Sequence, residues 1–170
     1  MFLLAQEEEL KDAKELKEDL EDLEFQMFRM RENVKKIAKK SKVIGIEPTK
    51  GAEWVIVYLH NDGYQCKVML TSCDSAFDGT WDFSIMASYK DEDHLHIGDI
   101  KGPENQGYGS ICMKYLKEIA YEQNIRYVTG DIAKRDWDHL DRLIHFYEKH
   151  HFDVNIDTEK QAGDIVWQPA

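Results

Sequence analysis

The feature that most constrains the fold is the segment from His94 to Asn124, whose pattern predicts a strand, a glycine loop and an amphipathic helix. The loop is the run QGYGS at residues 106–110. Two glycines at such a junction allow the backbone to turn its N–H groups outward, where the start of a helix adds positive potential. The segment therefore predicts a site for a phosphate or diphosphate group.

Composition and charge narrow the class of protein. The chain has 170 residues, 42% of them hydrophobic, so we expect one domain with a real core plus an appendage. Acidic residues outnumber basic ones by 33 to 22, for a formal net charge of −11. This balance argues against nucleic acid or an anionic membrane as the main partner, because binding to them depends on Lys and Arg meeting phosphates.

The cysteines and the absence of targeting patterns suggest a compartment. Cys66, Cys73 and Cys112 are odd in number and lack metal-type spacing, which fits a reducing environment. The sequence has no signal-peptide pattern and no apolar run of membrane-spanning length. We therefore expect a cytoplasmic protein with no membrane partner.

The N-terminal segment predicts one long helix. Residues 3–42 contain no Gly or Pro and are rich in Glu, Lys and Leu. Apolar residues recur at alternating spacings of three and four, at Ala13, Leu16, Leu20, Leu23, Met27, Met30, Val34 and Ile37. A seam restricted to a and d positions over about four heptads indicates a coiled coil, so we expect a homodimer through residues 13–37. The alternative is an amphipathic helix that folds back on its own domain.

The hydrophobic period changes near Ser41, which predicts a helical domain at residues 1–42 and a second domain at 43–170. Up to residue 100 the second domain alternates as strands do. Strands are predicted at residues 43–48, 54–60, 64–71, 81–89 and 94–100, with a hairpin turn at Asn61-Asp62-Gly63. The first half of this domain is therefore expected to be an antiparallel meander.

The second half of the domain alternates helices with strands. Helices are predicted at 110–123 and at 138–150, the latter with Asp138 as N-cap. Strands are predicted at 126–132, at 152–156 and, after a turn at Ala162-Gly163, at 165–167. Because a helix separates the strands at 94–100 and 126–132, we expect a parallel right-handed crossover. The predicted fold class is α+β, with a central, mostly antiparallel mixed sheet.

The glycine loop does not match two common phosphate-binding motifs. A P-loop requires Gly-Lys-Ser/Thr, which is absent. A dinucleotide fingerprint has a third glycine where this chain has Cys112.

Three pieces of the chain, within residues 94–157, instead resemble the GCN5-related N-acetyltransferase (GNAT) superfamily. The first is the strand, the ENQGYGS loop and its helix, which resemble the acetyl-CoA diphosphate loop Arg/Gln-x-x-Gly-x-Gly/Ala. The second is the following helix and strand, which ends in Tyr127-Val128-Thr129-Gly130. The third is the run LIHFYEKHHF at residues 143–152, which is similar to the family's FYEKxGF segment.

The chain departs from the family pattern at several positions. Glu104 stands where the family prefers Arg or Gln, and His151 replaces the usual Gly before Phe152. The family's Asn ahead of the tyrosine has no clear match. Between residues 43 and 94 the sequence predicts only strands, where the family has two helices after its first strand.

The resemblance implies the GNAT fold, with a splayed parallel strand pair, and acetyl-CoA as co-substrate. It implies that the pantetheine arm pairs with the backbone of Ile100, Lys101 and Gly102. The diphosphate would bind the backbone amides of Gln106, Gly107, Tyr108, Gly109 and Ser110. The family mechanism would make Tyr147 the proton donor to the leaving thiolate, and a backbone N–H near residue 100 would stabilise the oxyanion.

The remaining site residues have competing interpretations. A carboxylate or histidine must deprotonate the acceptor amine, and Asp99 and His96 are the candidates. Tyr147 could instead be only a core aromatic, and Asp99 could simply bond to nearby backbone. His94 and His96 share a strand face, but without a third ligand we favour packed or solvated histidines over a metal site. Asp136, Asp138 and Asp141 could attract a cationic acceptor.

The function expected from these observations is an acetyl-CoA-dependent N-acetyltransferase. It would transfer acetyl to a primary amine of a small molecule or peptide, by direct attack in a ternary complex. The alternative is a non-catalytic acyl-CoA-binding or scaffold protein that dimerises through its coiled coil.

Overall fold

A computed structural model describes residues 2–169, so the outermost residues of the two predicted domains, Met1 and Ala170, lie outside the described residues. The helices are α1 (Phe2–Ala38), α2 (Tyr108–Glu122) and α3 (Leu140–Lys149). The strands are β1 (Lys42–Pro48), β2 (Trp54–Asn61), β3 (Gln65–Ser72), β4 (Phe83–Asp91), β5 (His94–Lys101), β6 (Tyr127–Ile132), β7 (Asp153–Asp157) and β8 (Ala162–Trp167). A short 3₁₀ helix, Lys134–His139, precedes α3.

The strands form one eight-stranded sheet in the order β1-β2-β3-β4-β5-β6-β8-β7. Every pairing is antiparallel except β5 with β6, which is parallel. The predicted antiparallel meander, the parallel pairing of the strands on either side of α2 and the α+β class are therefore confirmed. Within residues 2–169, a tight turn alone joins β2 to β3 and no helix interrupts the first five strands, as the sequence predicted.

The sheet is covered differently on its two faces. The main core joins buried residues of β2 to β6 with α2 and α3, including Val57, Ile85, Leu95 and Leu116. On the opposite face, a smaller cluster of Ile56, Tyr58 and Met69 packs against Ile37. The loop after β3 also contributes to it through Phe77 and Trp81. The second cluster thus covers only the β1–β3 side of that face.

Helix α1 is confirmed as one long helix, and only its last turns contact the domain. Asn33 is fully buried and donates from Nδ2 to the carbonyl of Ser75 at 2.9 Å. Its Oδ1 accepts from the backbone N–H of Phe77, also at 2.9 Å. Residues 2–28 of the helix are exposed, so folding back onto the domain is limited to its C-terminal end. The coiled-coil homodimer and the domain division at residue 42 stay predictions.

Two local predictions were wrong. Asp138 does not cap α3, because it lies inside the 3₁₀ helix, and α3 begins after His139 without a side-chain cap. Asp136 instead accepts from the backbone N–H of Ala133 at 2.9 Å. Ala162-Gly163 is not a turn, because both residues pair with β7 within β8. A Cβ on Gly163 would lie 2.6 Å from the Asn155 carbonyl, so this glycine permits close strand packing.

Candidate active site

A cleft of about 410 Å³ opens where β5 and β6 separate, beside the start of α2 and along α3. The predicted residues that line it are Asp99, Ile100, Gly102, Gly107, Tyr108, Gly109, Ser110 and Tyr147. Lys101, Gln106 and His96 are not among its lining residues. Most of the side chains and backbone segments singled out from sequence therefore meet around a single cavity.

The cleft exists because the parallel strand pair splays. Pairing between β5 and β6 ends at Ile97 with Gly130, although β5 continues to Lys101 and β6 to Ile132. Just past this point Gly98 forms a bulge against β4, where Ala87 pairs with Ile97 and Met86 with Asp99. A bulge bends its strand and interrupts regular pairing. The backbone of residues 98–100 therefore edges the cleft on the β6 side.

The start of α2 offers backbone donors to an anion. Gly107 is the N-cap residue with φ of 79°, a left-handed conformation that favours glycine, and no side chain caps the helix. The first N–H groups of a helix have no partner within the helix, and residues 107–110 line the cleft, so donors backed by the helix dipole are available there. A Cβ on Gly109 would lie 3.1 Å from Phe146 and 3.2 Å from Phe83, so glycine also lets α2 approach the opposite wall closely.

A glutamate that the sequence analysis missed fixes the first residue of α2. The Tyr108 hydroxyl donates to Glu53 Oε1 at 2.7 Å, and the Ser72 hydroxyl donates to the same oxygen. Burial, followed by the contact with Glu53, raises the pKa of Tyr108. Glu53, just before β2, and Ser72 at the end of β3 thus fix Tyr108 at the start of α2. No motif predicted this contact, because the three residues lie far apart in the sequence.

Helix α3 supplies a cationic wall that the sequence analysis also missed. Arg142, His145 and Lys149 line the cleft at helical spacing. Arg142 Nη1 lies 2.5 Å from Glu104 Oε2, so α3 is tied to the loop before α2. Lys149 Nζ donates to Ser110 Oγ at 3.0 Å. The i, i+3, i+7 spacing of these basic residues is a signal in the sequence that could have identified the wall.

Tyr147 lies between the cleft and the core. It is only 6% exposed and packs with Phe146 and Phe152 at ring-centroid distances of 5.5 and 5.6 Å. Burial, followed by repulsion from Asp136, raises the pKa of its hydroxyl to about 12. The ring is therefore a core aromatic that also lines the cleft, and its role as proton donor stays a prediction.

A polar network on β5 and β6 continues from the cleft. The Thr129 hydroxyl contacts His94 Nε2 at 2.6 Å and His96 Nδ1 at 2.8 Å. His96 Nε2 lies 3.2 Å from Oδ2 of Asp131, which lines the cleft and was not predicted. The two histidines therefore share a hydroxyl, and residues 2–169 contain no group of three or more possible metal ligands.

Asp99 lines the cleft, and its Oδ2 forms an ion pair with Lys101 Nζ at 3.2 Å. The three predicted acidic residues after β6 do not meet as a group there. Asp136 lines the cleft, whereas Asp138 and Asp141 do not. Separately, no helix within residues 2–169 combines the length and the apolar character needed to span a membrane.

Comparison with solved structures places this architecture among known folds. A GNAT family acetyltransferase from Elizabethkingia anophelis, solved with acetyl-CoA bound, superposes with a TM-score of 0.51 at 11% identity, over 68% of this chain and 98% of that one. A cAMP-binding acyltransferase from Mycobacterium smegmatis superposes with a TM-score of 0.56 at 9% identity, over 82% of this chain and 51% of that one. The GNAT domain of S. lividans PAT gives 0.50 at 11%, over 65% of this chain and 64% of that chain. The protein has the GNAT fold.

Sequence comparison gives the narrower relationship. No family model matches the chain. It is 62% identical over 139 residues to the uncharacterized protein YocC of Bacillus subtilis (strain 168), covering 82% of this chain and 84% of that protein. The chain belongs to the same family as YocC.

Proposed function

We propose that the protein is an acetyl-CoA-dependent N-acetyltransferase that acts on a primary amine of a small molecule or peptide. The observation that carries this proposal is the convergence of three features on one cleft. These are the splayed β5–β6 pair, the uncapped glycine start of α2, and Tyr147. The GNAT fold supports the reaction class, because the E. anophelis neighbour is an acetyltransferase with acetyl-CoA bound.

The residues present fit the cofactor. Free backbone amides at Gly107 to Ser110 and the α3 cations suit a diphosphate, because both carry positive potential towards the same point. The unpaired backbone edge of Ile100 to Gly102 suits an extended amide-containing arm, which can pair with it as a strand would. Arg142 and Lys149 would supply the positive charge that Glu104 does not.

Each chain residue then has a defined task. When bound, acetyl-CoA supplies the acetyl thioester at the splay. An amine of lysine type has a pKa of about 10.4, so a proton must leave it near neutral pH. We assign this task to Asp131 with His96 behind it, since Asp131 lines the cleft and His96 Nε2 is 3.2 Å away. Asp99 is the competing base, although Lys101 Nζ already contacts its Oδ2 at 3.2 Å and would compete with the amine for it.

Tyr147 is assigned to the leaving thiolate. A hydroxyl with pKa of about 12 is fully protonated at neutral pH. A thiol is more acidic than this hydroxyl, with a pKa of about 8.5, so full proton transfer from Tyr147 to the thiolate is unfavourable. Tyr147 therefore stabilises the departing thiolate chiefly by donating a hydrogen bond. A backbone N–H of the splayed β5 segment would do the same for the carbonyl oxygen.

Direct transfer to the amine is favoured over an acyl-cysteine route. None of the three cysteines lines the cleft. Burial raises the pKa of Cys66 and Cys73 to about 11 and that of Cys112 to about 12. A thiol becomes a nucleophile only as a thiolate, so these side chains are poorly suited to carrying an acyl group.

The test is release of the CoA thiol from acetyl-CoA over a panel of primary amines, with the acetylated product identified by mass spectrometry. We expect release that depends on both the amine and the protein. Saturable acetyl-CoA binding without turnover on any amine would overturn the enzymatic proposal in favour of the non-catalytic acyl-CoA-binding alternative.

A further inference from the structure

The part of α1 that precedes Arg29 extends away from the domain and carries an exposed apolar stripe. Four of its seam side chains are more than half exposed: Leu16 69%, Leu20 56%, Leu23 55% and Met27 69%. The same seam continues to Val34 and Ile37, but these pack against the second cluster of their own domain. The free part of the stripe therefore ends near Met30.

We propose that a second copy of α1 covers this stripe in the antiparallel orientation. In the register that fits best, Leu20 lies opposite the partner's Leu23, and Leu16 lies opposite the partner's Met27. Ala13 and the partner's Met30 complete the apolar layers, and the two-fold axis repeats each of them. A self-complementary face of this kind suits a homodimer.

The position of the domain argues against the parallel orientation. A parallel pair would place Val34 and Ile37 of one copy against the same residues of the other. Both side chains are already used by the domain, Ile37 at 2% exposure. In the antiparallel register only polar residues of the other copy, Glu9 and Gln6, come level with these positions, so the pair loses no apolar layer to the domain. The apolar side chains that the domain leaves uncovered, from Ala13 to Met30, are therefore the ones that the antiparallel pair buries.

Charges beside the seam favour the same choice. Flanking e and g residues set orientation and register in coiled coils. In a parallel pair Asp12 would face the partner's Lys17, but Asp19 would face the partner's Glu24, which is repulsive. In the antiparallel register Lys17 faces the partner's Glu24 twice by symmetry. A shift by one heptad either way brings Lys17 against Lys17, or Glu24 against Glu24.

Charge reversal separates the two orientations. In the antiparallel dimer Glu24→Lys places a lysine against the partner's Lys17, so we expect the dimer dissociation constant to rise about tenfold. The double variant Lys17→Glu/Glu24→Lys restores opposite charges and should return it close to wild type. Glu18→Lys makes the same charge change on the outer face of the helix and is the matched control. Analytical ultracentrifugation of the full chain provides the measurement.

Disulfide trapping gives an independent measurement in a Cys73→Ser background. A mixture of Leu16→Cys and Met27→Cys chains should form a mixed disulfide. Leu16→Cys alone should not, because the two copies of position 16 would lie roughly 16 Å apart along the helix axes. Tighter association of Glu24→Lys, self-linking of Leu16→Cys, a full chain that is monomeric at all concentrations, or a larger oligomer would each overturn the proposal.

Discussion

Arg142 on α3 and Glu104 in the loop before α2 form a 2.5 Å salt bridge that joins the two walls of the cleft. The GNAT loop pattern has Arg or Gln at the position of Glu104, so the positive charge here comes from the facing helix instead. This exchange keeps a cation beside the amides of α2. In the proposed site, a bound diphosphate would compete with Glu104 for the Arg142 guanidinium.

The first prediction concerns this exchange. Arg142→Gln is expected to weaken acetyl-CoA binding about tenfold, because losing a partly exposed charge-assisted contact costs ~1.4 kcal/mol. Glu104→Gln should strengthen binding, since it removes a negative charge and frees Arg142. Isothermal titration calorimetry measures both. Arg126→Gln is the control, because Arg126 pairs with Asp93 and does not line the cleft. Weaker binding in Glu104→Gln would contradict the account.

The second prediction concerns Tyr147. Tyr147→Phe should lower kcat by about 10- to 100-fold while leaving acetyl-CoA affinity within about twofold, because only the departing thiolate needs the hydroxyl. With a pKa of about 12 the group stays protonated, so it should cause no loss of rate as the pH rises from about 7 to 10. Tyr121→Phe, at an exposed position of α2, serves as control. An unchanged kcat in Tyr147→Phe would remove this residue from the mechanism.

The third prediction separates the candidate bases. Asp131→Asn and His96→Gln should each lower kcat/KM for the amine about 10- to 100-fold, with no loss of acetyl-CoA affinity. Asp99→Asn should have a smaller effect, because Lys101 already occupies that carboxylate. His60→Gln, exposed on β2, is the matched control. If Asp99→Asn proves the most damaging of the three site variants, the assignment of Asp131 and His96 is wrong.

The fourth prediction is a pH dependence of stability. Burial, together with Lys117 and Lys149, lowers the pKa of His150 from 6.5 to about 4. Between pH 6.5 and pH 4 the unfolded chain binds a proton at His150 that the folded chain does not. The free energy of unfolding should therefore be unaffected by His150 above pH 6.5 and should fall as the pH drops towards 4. Urea unfolding at pH 7 and pH 5 should show a larger drop for the wild type than for His150→Gln. Equal drops would show that His150 does not cause it.

The fifth prediction concerns the anchor of α1. Asn33→Ala should lower the free energy of unfolding by ~2 kcal/mol, because it leaves the Ser75 carbonyl and the Phe77 N–H without their partner. Asn155→Ala, which removes an exposed hydrogen bond to Asp164, should cost much less. Chemical denaturation of both variants provides the comparison. Equal losses would contradict the anchoring role.

Most of the fold could be predicted from local patterns in the sequence. Alternation predicted the strands of the meander, the turn residues 61–63 predicted the hairpin, and the helix predicted at 110–123 implied the parallel crossover, which the structure confirms with a helix at Tyr108–Glu122. The two errors arose where tertiary contacts decide. Asp138 looks like an N-cap in sequence, but a 3₁₀ turn capped by Asp136 precedes α3. Gly163 looks like a turn residue, but close strand packing requires it.

The site was predictable only where one motif holds several of its residues. The glycine loop and the FYEK segment located both the start of α2 and Tyr147. Glu53, Asp131 and Arg142 were missed, because their partners Tyr108, His96 and Glu104 are 55, 35 and 38 positions away in the chain. Such contacts depend on strand order and helix docking, which no short pattern encodes.

The most direct test of the central claim is a calorimetric titration of the full chain with acetyl-CoA. We expect saturable binding at one site per chain, much weaker binding of pantetheine, which lacks the diphosphate, and reduced affinity in Gly109→Ala but not in Gly51→Ala. In Gly109→Ala the added methyl group would press on Phe146 and Phe83, whereas Gly51 lies in an exposed turn with room for one. No binding of acetyl-CoA up to about 1 mM, or equal binding of pantetheine, would contradict the proposal that the cleft binds acetyl-CoA through its diphosphate.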